Sequence, residues 1–132
     1  MARILINGGR GLVYVWAKNQ QLKNKKSSYL RQNKKNNIEN TSSDAASLEK
    51  DSTEYINGLP VHTNRTQFIE QDMLVPWKLK GDDQDSNDVY LRFYHVFEEN
   101  ELEQMCRDVE NIKVINSYYD QGNWCIEFQK IA

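Results

Sequence analysis

The strongest pattern in this 132-residue chain lies in its C-terminal third, where it predicts a helix followed by a β-hairpin. Two runs of alternating apolar residues, 112–119 and 123–130, predict antiparallel strands around the turn-forming sequence Asp120-Gln121-Gly122. Before them, four apolar residues recur at the spacing of a helical stripe: Leu102, Met105, Cys106 and Val109. We predict a helix over 100–109, with Asn100 as its N-cap and Glu103 reaching back toward the capping amide.

The N-terminal segment 1–18 is predicted to contain the end of a helix and a central strand. Residues 1–6 are apolar, and the glycines of Asn7-Gly8-Gly9 suit a helix end. Residues 11–16 (Gly-Leu-Val-Tyr-Val-Trp) are almost continuously apolar and β-prone, which favours a parallel strand covered on both faces. Such a strand needs neighbours on both sides. The chain offers few besides the terminal hairpin, so we expect it to be part of a larger domain.

Residues 19–58 form a polar segment that is predicted to be a mostly disordered insert. Few large apolar groups are available to offset the entropy of ordering this segment. Its first half carries a basic cluster: Lys23, Lys25, Lys26, Arg31, Lys34 and Lys35. The cluster has two interpretations, a solvated linker or a tether that attracts phosphate near an RNA site.

Residues 59–132 form the remaining predicted unit, which consists of an ordered loop, the helix and the hairpin. Residues 59–80 mix apolar anchors with polar groups and show no clean period, so we predict an ordered loop, a kind of segment that often carries function. Residues 81–88 are predicted to be an acidic spacer. Residues 90–97 are predicted to be a strand or loop that leads into the helix.

The overall composition excludes some classes of protein. The net charge of −2 and the pI of about 5.7 give no sign of nucleic-acid binding, which leaves only local clusters to consider. No stretch approaches the ~20 apolar residues of a membrane-spanning helix, and no signal peptide opens the chain, so no membrane partner is expected. Cys106 and Cys125 are predicted to be reduced, partly buried thiols, typical of the cytosol.

Motifs for metal, cofactor or nucleophile chemistry are not found in the sequence. The glycine-rich stretch 7–11 precedes a predicted strand, whereas phosphate-binding loops follow a strand and open a helix. No Cys or His set has ligand spacing, so no metal site is predicted. The sequence assigns no catalytic residue.

Polar residues beside aromatic ones suggest a surface that binds an unpaired base and its phosphates. An Arg presents a planar fork suited to a carboxylate or phosphate, and a neighbouring ring can stack on a base. Structural alternatives stay open: a surface ion pair for Arg92, a hydrogen-bonded structural role for His95, and core packing for Trp77 and Trp124. The candidate binding residues are His62, Asn64, Arg65, Arg92, Tyr94, His95, Asp120, Asn123 and Trp124.

Five segments together resemble the tRNA wobble-uridine carboxymethyl methyltransferases, a family that includes the methyltransferase domain of the eighth AlkB homologue of animals. The resemblance covers most of the chain outside the polar insert. The segments are Gly8-Gly9-Arg10-Gly11-Leu12-Val13-Tyr14-Val15-Trp16-Ala17, Leu59-Pro60-Val61-His62-Thr63-Asn64-Arg65-Thr66, Gln71-Asp72 through Val75-Pro76-Trp77, Tyr94-His95-Val96-Phe97 and Ser117-Tyr118-Tyr119-Asp120-Gln121-Gly122-Asn123-Trp124-Cys125.

The resemblance implies an α/β fold, the class I S-adenosylmethionine-dependent methyltransferase fold. Its Rossmann-like sheet has seven strands, mainly parallel, and ends in an antiparallel hairpin. On this basis 11–16 would be the fifth strand, 100–109 the last helix, and 112–119 with 123–130 the hairpin. Only the C-terminal part of that fold would lie in this chain, interrupted by the disordered insert.

The resemblance also implies an activity, the esterification of 5-carboxymethyluridine at the tRNA wobble position with S-adenosylmethionine as methyl donor. The expected partners are the tRNA anticodon loop and a small zinc-binding activator subunit. The expected location is the cytoplasm, with the nucleus as a second site. Arg65 and Arg92 are candidates to hold the carboxylate or flanking phosphates, with Asn64 and His95 as hydrogen-bonding partners.

The chain departs from the family in lacking the cofactor-binding half of the domain. We therefore expect the S-adenosylmethionine site to lie mostly outside this chain, and the chain alone to be inactive. The alternative is a non-catalytic RNA- or protein-interaction fragment.

Overall fold

The structure, a computed structural model, describes residues 1–31, 53–78 and 88–132. A 3₁₀ helix and eleven further elements follow one another along these residues. They are the 3₁₀ helix Ala2–Ile4, β1 (Arg10–Trp16), β2 (Gln21–Leu22), β3 (Lys25–Lys26), α1 (Ser28–Arg31), β4 (Tyr55–Ile56), β5 (Leu59–Pro60), β6 (Asp72–Trp77), β7 (Tyr90–His95), α2 (Glu101–Arg107), β8 (Ile112–Asp120) and β9 (Asn123–Lys130).

The largest sheet, here named the main sheet, has the strand order β1-β9-β8, and all its pairings are antiparallel. With helix α2 it forms the first layer of the fold. The β8–β9 hairpin is confirmed, with Asp120 opposite Asn123 across the turn. Alternation along β9 puts Ile126 and Phe128 on one face, where they are buried against Leu102 of α2. Burying each such side chain contributes about 1.5–3 kcal/mol, so this face holds α2 on the sheet.

A second layer is built on the antiparallel pair β6–β7, with β5 continuing into a parallel bridge between Val61 and Leu74. Met73 and Val75 of β6 are buried there with Phe68 and Val96. Alternation in β6 therefore directs one face of this hairpin into a core of its own.

The two layers meet at the carboxyl end of β1. The Phe97 N–H donates to the Trp16 carbonyl and the Lys18 N–H donates to the Phe97 carbonyl, both at 2.8 Å. The Trp16 ring packs against Tyr94 of β7, with the ring centroids 5.3 Å apart. The end of β1 thus belongs to both layers.

The predicted strand at β1 is confirmed, but its parallel pairing stays a prediction, because the second neighbour was expected in a larger domain and not in the part of the chain that the structure describes. There β1 pairs only with β9, in antiparallel orientation. Val13 and Val15 pack against the α2 side, whereas Leu12 and Tyr14 are 51% and 48% exposed. The apolar run did identify two apolar faces, but helix α2 covers only one of them.

Asn100 occupies the N-cap position of α2, as predicted, but the predicted capping hydrogen bonds are wrong. Asn100 has a φ of 67° and its side chain makes no capping hydrogen bond. The Glu101 carboxylate instead accepts the Glu98 N–H at 2.9 Å, while Glu103 pairs with Arg107 at 2.6 Å. The carboxylate of Glu101 therefore ties the start of the helix to the chain before it, a contact that the prediction had assigned to Glu103.

The predicted apolar stripe of α2 is only partly buried. Leu102 and Cys106 contact the core, whereas Met105 and Val109 are 55% and 42% exposed. Both cysteines are free thiols; Cys106 is half-buried and Cys125 is buried, as predicted.

The boundaries of the polar insert and of the ordered loop were predicted incorrectly. Residues 19–31 and 53–58 were predicted to be disordered, yet they contain β2, β3, α1 and β4. The rest of that insert, 32–52 with Lys34 and Lys35, lies outside the described residues. The predicted loop 59–80 contains strand β6. Its alternation of buried and exposed positions is hard to see in the sequence, because Leu74 and Pro76, on the less buried face, are also apolar. Most of the predicted acidic spacer lies outside the described residues.

At the N-terminus, the predicted helix end is a single 3₁₀ turn, and Gly8 follows it in the left-handed region with a φ of 82°. In the described ranges, no helix is both long and apolar enough to span a bilayer.

Gly11 is required by the packing of the main sheet, because a Cβ at this position would collide with the Phe128 ring. We expect Gly11→Ala to lower the free energy of unfolding by about 1–2 kcal/mol, since overpacking outweighs the backbone gain from replacing Gly. Urea denaturation would measure the loss. The same substitution in a Phe128→Leu background should cost less, and equal costs in both backgrounds would contradict the proposed clash.

Candidate nucleic-acid interface

Aromatic rings converge where the two layers meet. The Trp16 ring lies 5.3 Å from Tyr94, 5.5 Å from Tyr29 and 5.7 Å from Phe68, measured between centroids. Trp16 nevertheless stays 38% exposed, and Tyr29 and Tyr94 are half-buried. The cluster therefore packs on the core of the second layer on one side and is accessible to solvent on the other.

A cleft of about 220 Å³ opens beside this cluster, at the β8–β9 turn. Trp16 and Tyr29 form its aromatic wall, and Gln121 and Asn123 contribute side-chain amides. The Asn123 amide donates to the Asp120 carbonyl at 3.1 Å, and the Arg31 guanidinium donates to Gln121 at 3.0 Å. The cleft thus combines rings, amide groups and a cation at its edge, a combination suited to a flat polar ring such as a nucleobase.

A buried amide holds the cleft together. Gln20 is only 3% exposed, and its Nε2 donates to the carbonyls of Ala17 and Gly122, both at 2.8 Å. Its Oε1 accepts the Ser27 hydroxyl at 2.7 Å. One side chain therefore joins the end of β1, the β8–β9 turn and the segment before α1.

Tyr29 joins the cleft to the 59–66 segment. The Arg65 N–H donates to the Tyr29 phenol oxygen at 2.7 Å, and His62 Nε2 lies 3.0 Å from the same oxygen. The phenol oxygen already accepts the Arg65 N–H, and we infer that its own proton is donated to Nε2 of a neutral imidazole. Burial lowers the pKa of His62 to about 4, which favours the same neutral form.

Arg92 extends the aromatic surface along β7. Its guanidinium carbon lies 3.8 Å from the centre of the Trp77 ring, and Trp77 also contacts Tyr90 with centroids 5.2 Å apart. Arg92 shares a sheet face with Tyr94, two residues on, which packs against Trp16. A row of rings and one stacked cation therefore runs from the cleft along this hairpin.

His95 is held between two carboxylates from different elements. Its Nδ1 lies 2.6 Å from Asp72 of β6, and its Nε2 lies 2.7 Å from Glu101 of α2. The hydrogen bond to Asp72, reinforced by the one to Glu101, raises the pKa of His95. Both ring nitrogens are already used, which supports the structural alternative for this residue and leaves it no nitrogen for a substrate.

The structure separates the other predicted site residues. Asn123 lines the cleft, Asp120 is next to it and accepts the Asn123 amide through its carbonyl, and Tyr94 lies in the aromatic cluster. His62 is buried beneath the surface. Trp124 is half-buried against the main core and donates its Nε1–H to the Phe97 carbonyl at 3.1 Å, which supports the core-packing alternative for this residue.

Asn64 and Arg65 lie in a turn next to β6. The Asn64 amide donates to the Pro76 carbonyl at 3.0 Å, and Arg65 has a left-handed φ of 65°. Both residues are exposed, so the turn presents them beside the row formed by Trp77 and Arg92.

Sequence reasoning missed three residues of the site. Trp16 was assigned only to a strand, while Gln20 and Tyr29 fell in the segment predicted to be disordered. A signal was present: Leu22-Lys23-Asn24-Lys25 can form a tight hairpin, with the apolar pair Tyr29-Leu30 shortly after it. Across the ranges that the structure describes, no group of three or more Cys, His, Asp or Glu side chains is arranged to hold a metal ion.

Comparison with known proteins gives a clear relationship. The chain is 42% identical over 146 residues to the tRNA (carboxymethyluridine(34)-5-O)-methyltransferase alkbh8 of Xenopus tropicalis, and 99% of the chain is aligned. It is 37% identical over 175 residues to the ALKBH8 enzyme of Macaca fascicularis, with 98% of the chain aligned. The chain is a homologue of a segment of the ALKBH8 tRNA methyltransferases.

The segment is a minor part of these relatives, because the chain covers 22% of the frog protein and 26% of the macaque protein. A plant relative with the same enzyme name, from Arabidopsis thaliana, is 37% identical over 87 residues and aligns with 64% of the chain. No protein-family model matches the chain.

The Tyr29 hydroxyl should contribute measurably to stability. Tyr29→Phe removes the acceptor of the Arg65 N–H and the donor to His62, and we expect a loss of about 1–3 kcal/mol in the free energy of unfolding. The matched control is Tyr118→Phe, whose hydroxyl lies 3.0 Å from the Tyr14 hydroxyl on the exposed sheet face. Denaturant unfolding of both variants checks the prediction, and equal losses would contradict it.

The two histidines should have opposite effects on the pH dependence of stability. His62 has a lowered pKa in the folded state, so its contribution is lost as pH falls from about 6.5 toward about 4. His95 has a raised pKa, so its contribution is full below about 6.5 and is lost as pH rises through the folded value.

NMR titration of the ring protons would assign each pKa directly. The difference in unfolding free energy between wild type and His95→Gln should shrink from about pH 6 to about pH 9. A constant difference would exclude a charged His95 in the folded protein.

Proposed function

We propose that this chain forms the substrate-facing part of a tRNA carboxymethyluridine methyltransferase. The observation that carries the proposal is the homology to enzymes of that name over nearly the whole chain. We further propose that the described layers belong to a class I methyltransferase fold, with β1 as the fifth strand beside the terminal β8–β9 hairpin. The sheet order β1-β9-β8 is compatible with this assignment.

The partly exposed aromatic row supports an RNA substrate. Unpaired bases of an anticodon loop can stack on ring faces, and sequence-tolerant stacking contributes about 1–3 kcal/mol per base. Arg92 and Arg65 are exposed at this surface and present guanidinium groups suited to a phosphate or carboxylate. We therefore propose the tRNA anticodon loop as the partner of this face.

The chemistry proposed for the substrate requires no strong base. The carboxylate of 5-carboxymethyluridine is ionised at neutral pH and is itself the nucleophile toward a methyl group. Neither histidine is placed to act as such a base, because His62 is buried and both ring nitrogens of His95 are hydrogen-bonded to carboxylates. The contribution of this chain would be to hold the uridine in position, an effect that can account for a large part of a rate enhancement.

We propose S-adenosylmethionine as the methyl donor, bound mainly by residues outside this chain. The described residues do not fit a cofactor loop, since the glycine-rich stretch 7–11 leads into β1 and does not follow a strand. The zinc-binding activator subunit and the cytoplasmic and nuclear localisation remain predictions.

Deleting the coding sequence of this chain should stop the proposed modification in cells. Nucleoside mass spectrometry of bulk tRNA should then show accumulation of 5-carboxymethyluridine and loss of its methyl ester. Unchanged levels of the ester would contradict the proposed function and favour a non-catalytic interaction fragment.

Complementation of that deletion tests the role of Arg92. Arg92→Lys keeps the charge but loses the planar fork stacked on Trp77, so we expect roughly a tenfold drop in ester formation. Arg107→Lys is the matched control, because Arg107 is exposed on α2 and pairs with Glu103. Equal ester levels with both variants would remove Arg92 from the proposed substrate surface.

A further inference from the structure

The segment beside the cleft carries a concentrated positive charge. Residues 18–31 contain five Lys or Arg side chains and no carboxylate, although the whole chain has a net charge of −2. Three of the five lie in the hairpin formed by residues 21–26, here named the basic hairpin, and all three are exposed: Lys23, Lys25 and Lys26.

The basic hairpin has a defined conformation. Lys23 and Asn24 form its two-residue turn with φ values of 48° and 63°, the left-handed pair typical of a type I′ turn. Gln21 lies opposite Lys26, and Leu22 lies opposite Lys25. The lysines therefore project from a short ribbon.

Both ends of the basic hairpin are attached to the main sheet and the cleft. The Tyr119 hydroxyl donates to the Asn19 carbonyl at 3.0 Å on the incoming side. The Ser27 N–H donates to the Gln20 carbonyl at 2.8 Å, and Gln20 is the buried amide beneath the cleft. The chain then continues directly into Ser28 and Tyr29, which line the cleft.

The flanking cations have protein partners, whereas the lysines of the hairpin face solvent. Lys18 lies 3.2 Å from Glu98, and Arg31 donates to Gln121. Within residues 1–31, 53–78 and 88–132, no side-chain hydrogen bond or ion pair involves Lys23, Lys25 or Lys26. In that part of the chain, therefore, no side chain neutralises these three lysines.

We propose that the basic hairpin binds the phosphate backbone of single-stranded RNA whose base enters the adjacent cleft. This rests on the proposed function, because it takes RNA as the substrate. Lysines that neutralise phosphates release counterions, and a hairpin that is already ordered loses little entropy on binding. The neighbouring Trp16 and Tyr29 rings favour RNA over an acidic peptide, since bases offer flat faces for stacking.

Salt-dependent binding to an anticodon stem–loop RNA tests the proposal. The full 132-residue chain would be titrated by fluorescence anisotropy over a range of salt concentrations. We expect Lys25→Gln/Lys26→Gln to weaken binding roughly fivefold to tenfold at low salt. The slope of log K against log[salt] should become less negative by about 0.7 for each phosphate that the variant no longer neutralises.

The matched control removes the same charge at the other end of the main sheet. Arg3 and Lys113 are exposed there, near the start of β1 and the end of β9. Arg3→Gln/Lys113→Gln should leave both the affinity and the slope close to wild type. An equal loss of affinity in both double variants would mean a general charge effect and would overturn the basic hairpin as a site.

The remaining outcomes separate the two proposals. If wild type binds the RNA and the hairpin variant binds equally well, the site is overturned while the proposed function stands. If wild type binds no RNA, the RNA role of this chain fails together with the site. If the hairpin variant does not fold, cross-linking of wild type to 4-thiouridine RNA decides: adducts within residues 21–29 support the site, and adducts only elsewhere overturn it.

Discussion

The buried amide of Gln20 is the interaction on which the cleft depends. Its two N–H groups and its oxygen form hydrogen bonds that join three parts of the fold. Losing any one of these hydrogen bonds would leave a buried polar group without a partner. Gly122 is part of the same arrangement: its φ is 93°, and a Cβ there would collide with the Gln20 side chain. The β8–β9 turn, the end of β1 and the basic hairpin therefore depend on one another.

The two histidines of the chain, His62 and His95, have pKa values that their surroundings shift in opposite directions. His62 lies against rings and a phenol, and burial keeps it neutral by lowering its pKa. His95 lies between Asp72 and Glu101, and the two carboxylates favour its charged form by raising its pKa. Neither environment prepares a general base, which agrees with the proposed carboxymethyluridine substrate, whose carboxylate is already nucleophilic. The role of this surface would then be recognition and positioning.

Prediction from sequence succeeded where local pattern and local chemistry agree. The β8–β9 hairpin follows from alternation on both sides of Asp120-Gln121-Gly122, and the position of α2 follows from the Leu102 and Cys106 spacing. Prediction failed where distant contacts decide. The basic hairpin has a polar composition typical of disorder, and its order comes from Gln20 and Tyr119 bonding across the fold. Strand β6 was missed because its buried residues, Met73 and Val75, are separated by another apolar residue.

The sequence by itself determined which residues form the terminal hairpin and the helix, and which family the segment resembles, because these depend on periodicity and on motif order. Only the tertiary structure decided which polar and aromatic residues share a surface. Trp124 packs against the core and Trp16 lies at the cleft, although both are strand tryptophans, because they lie on opposite faces of the sheet: α2 covers the face of Trp124, and the second layer meets the face of Trp16. Side-chain burial depends on what packs across from a strand, and that partner is distant in the sequence.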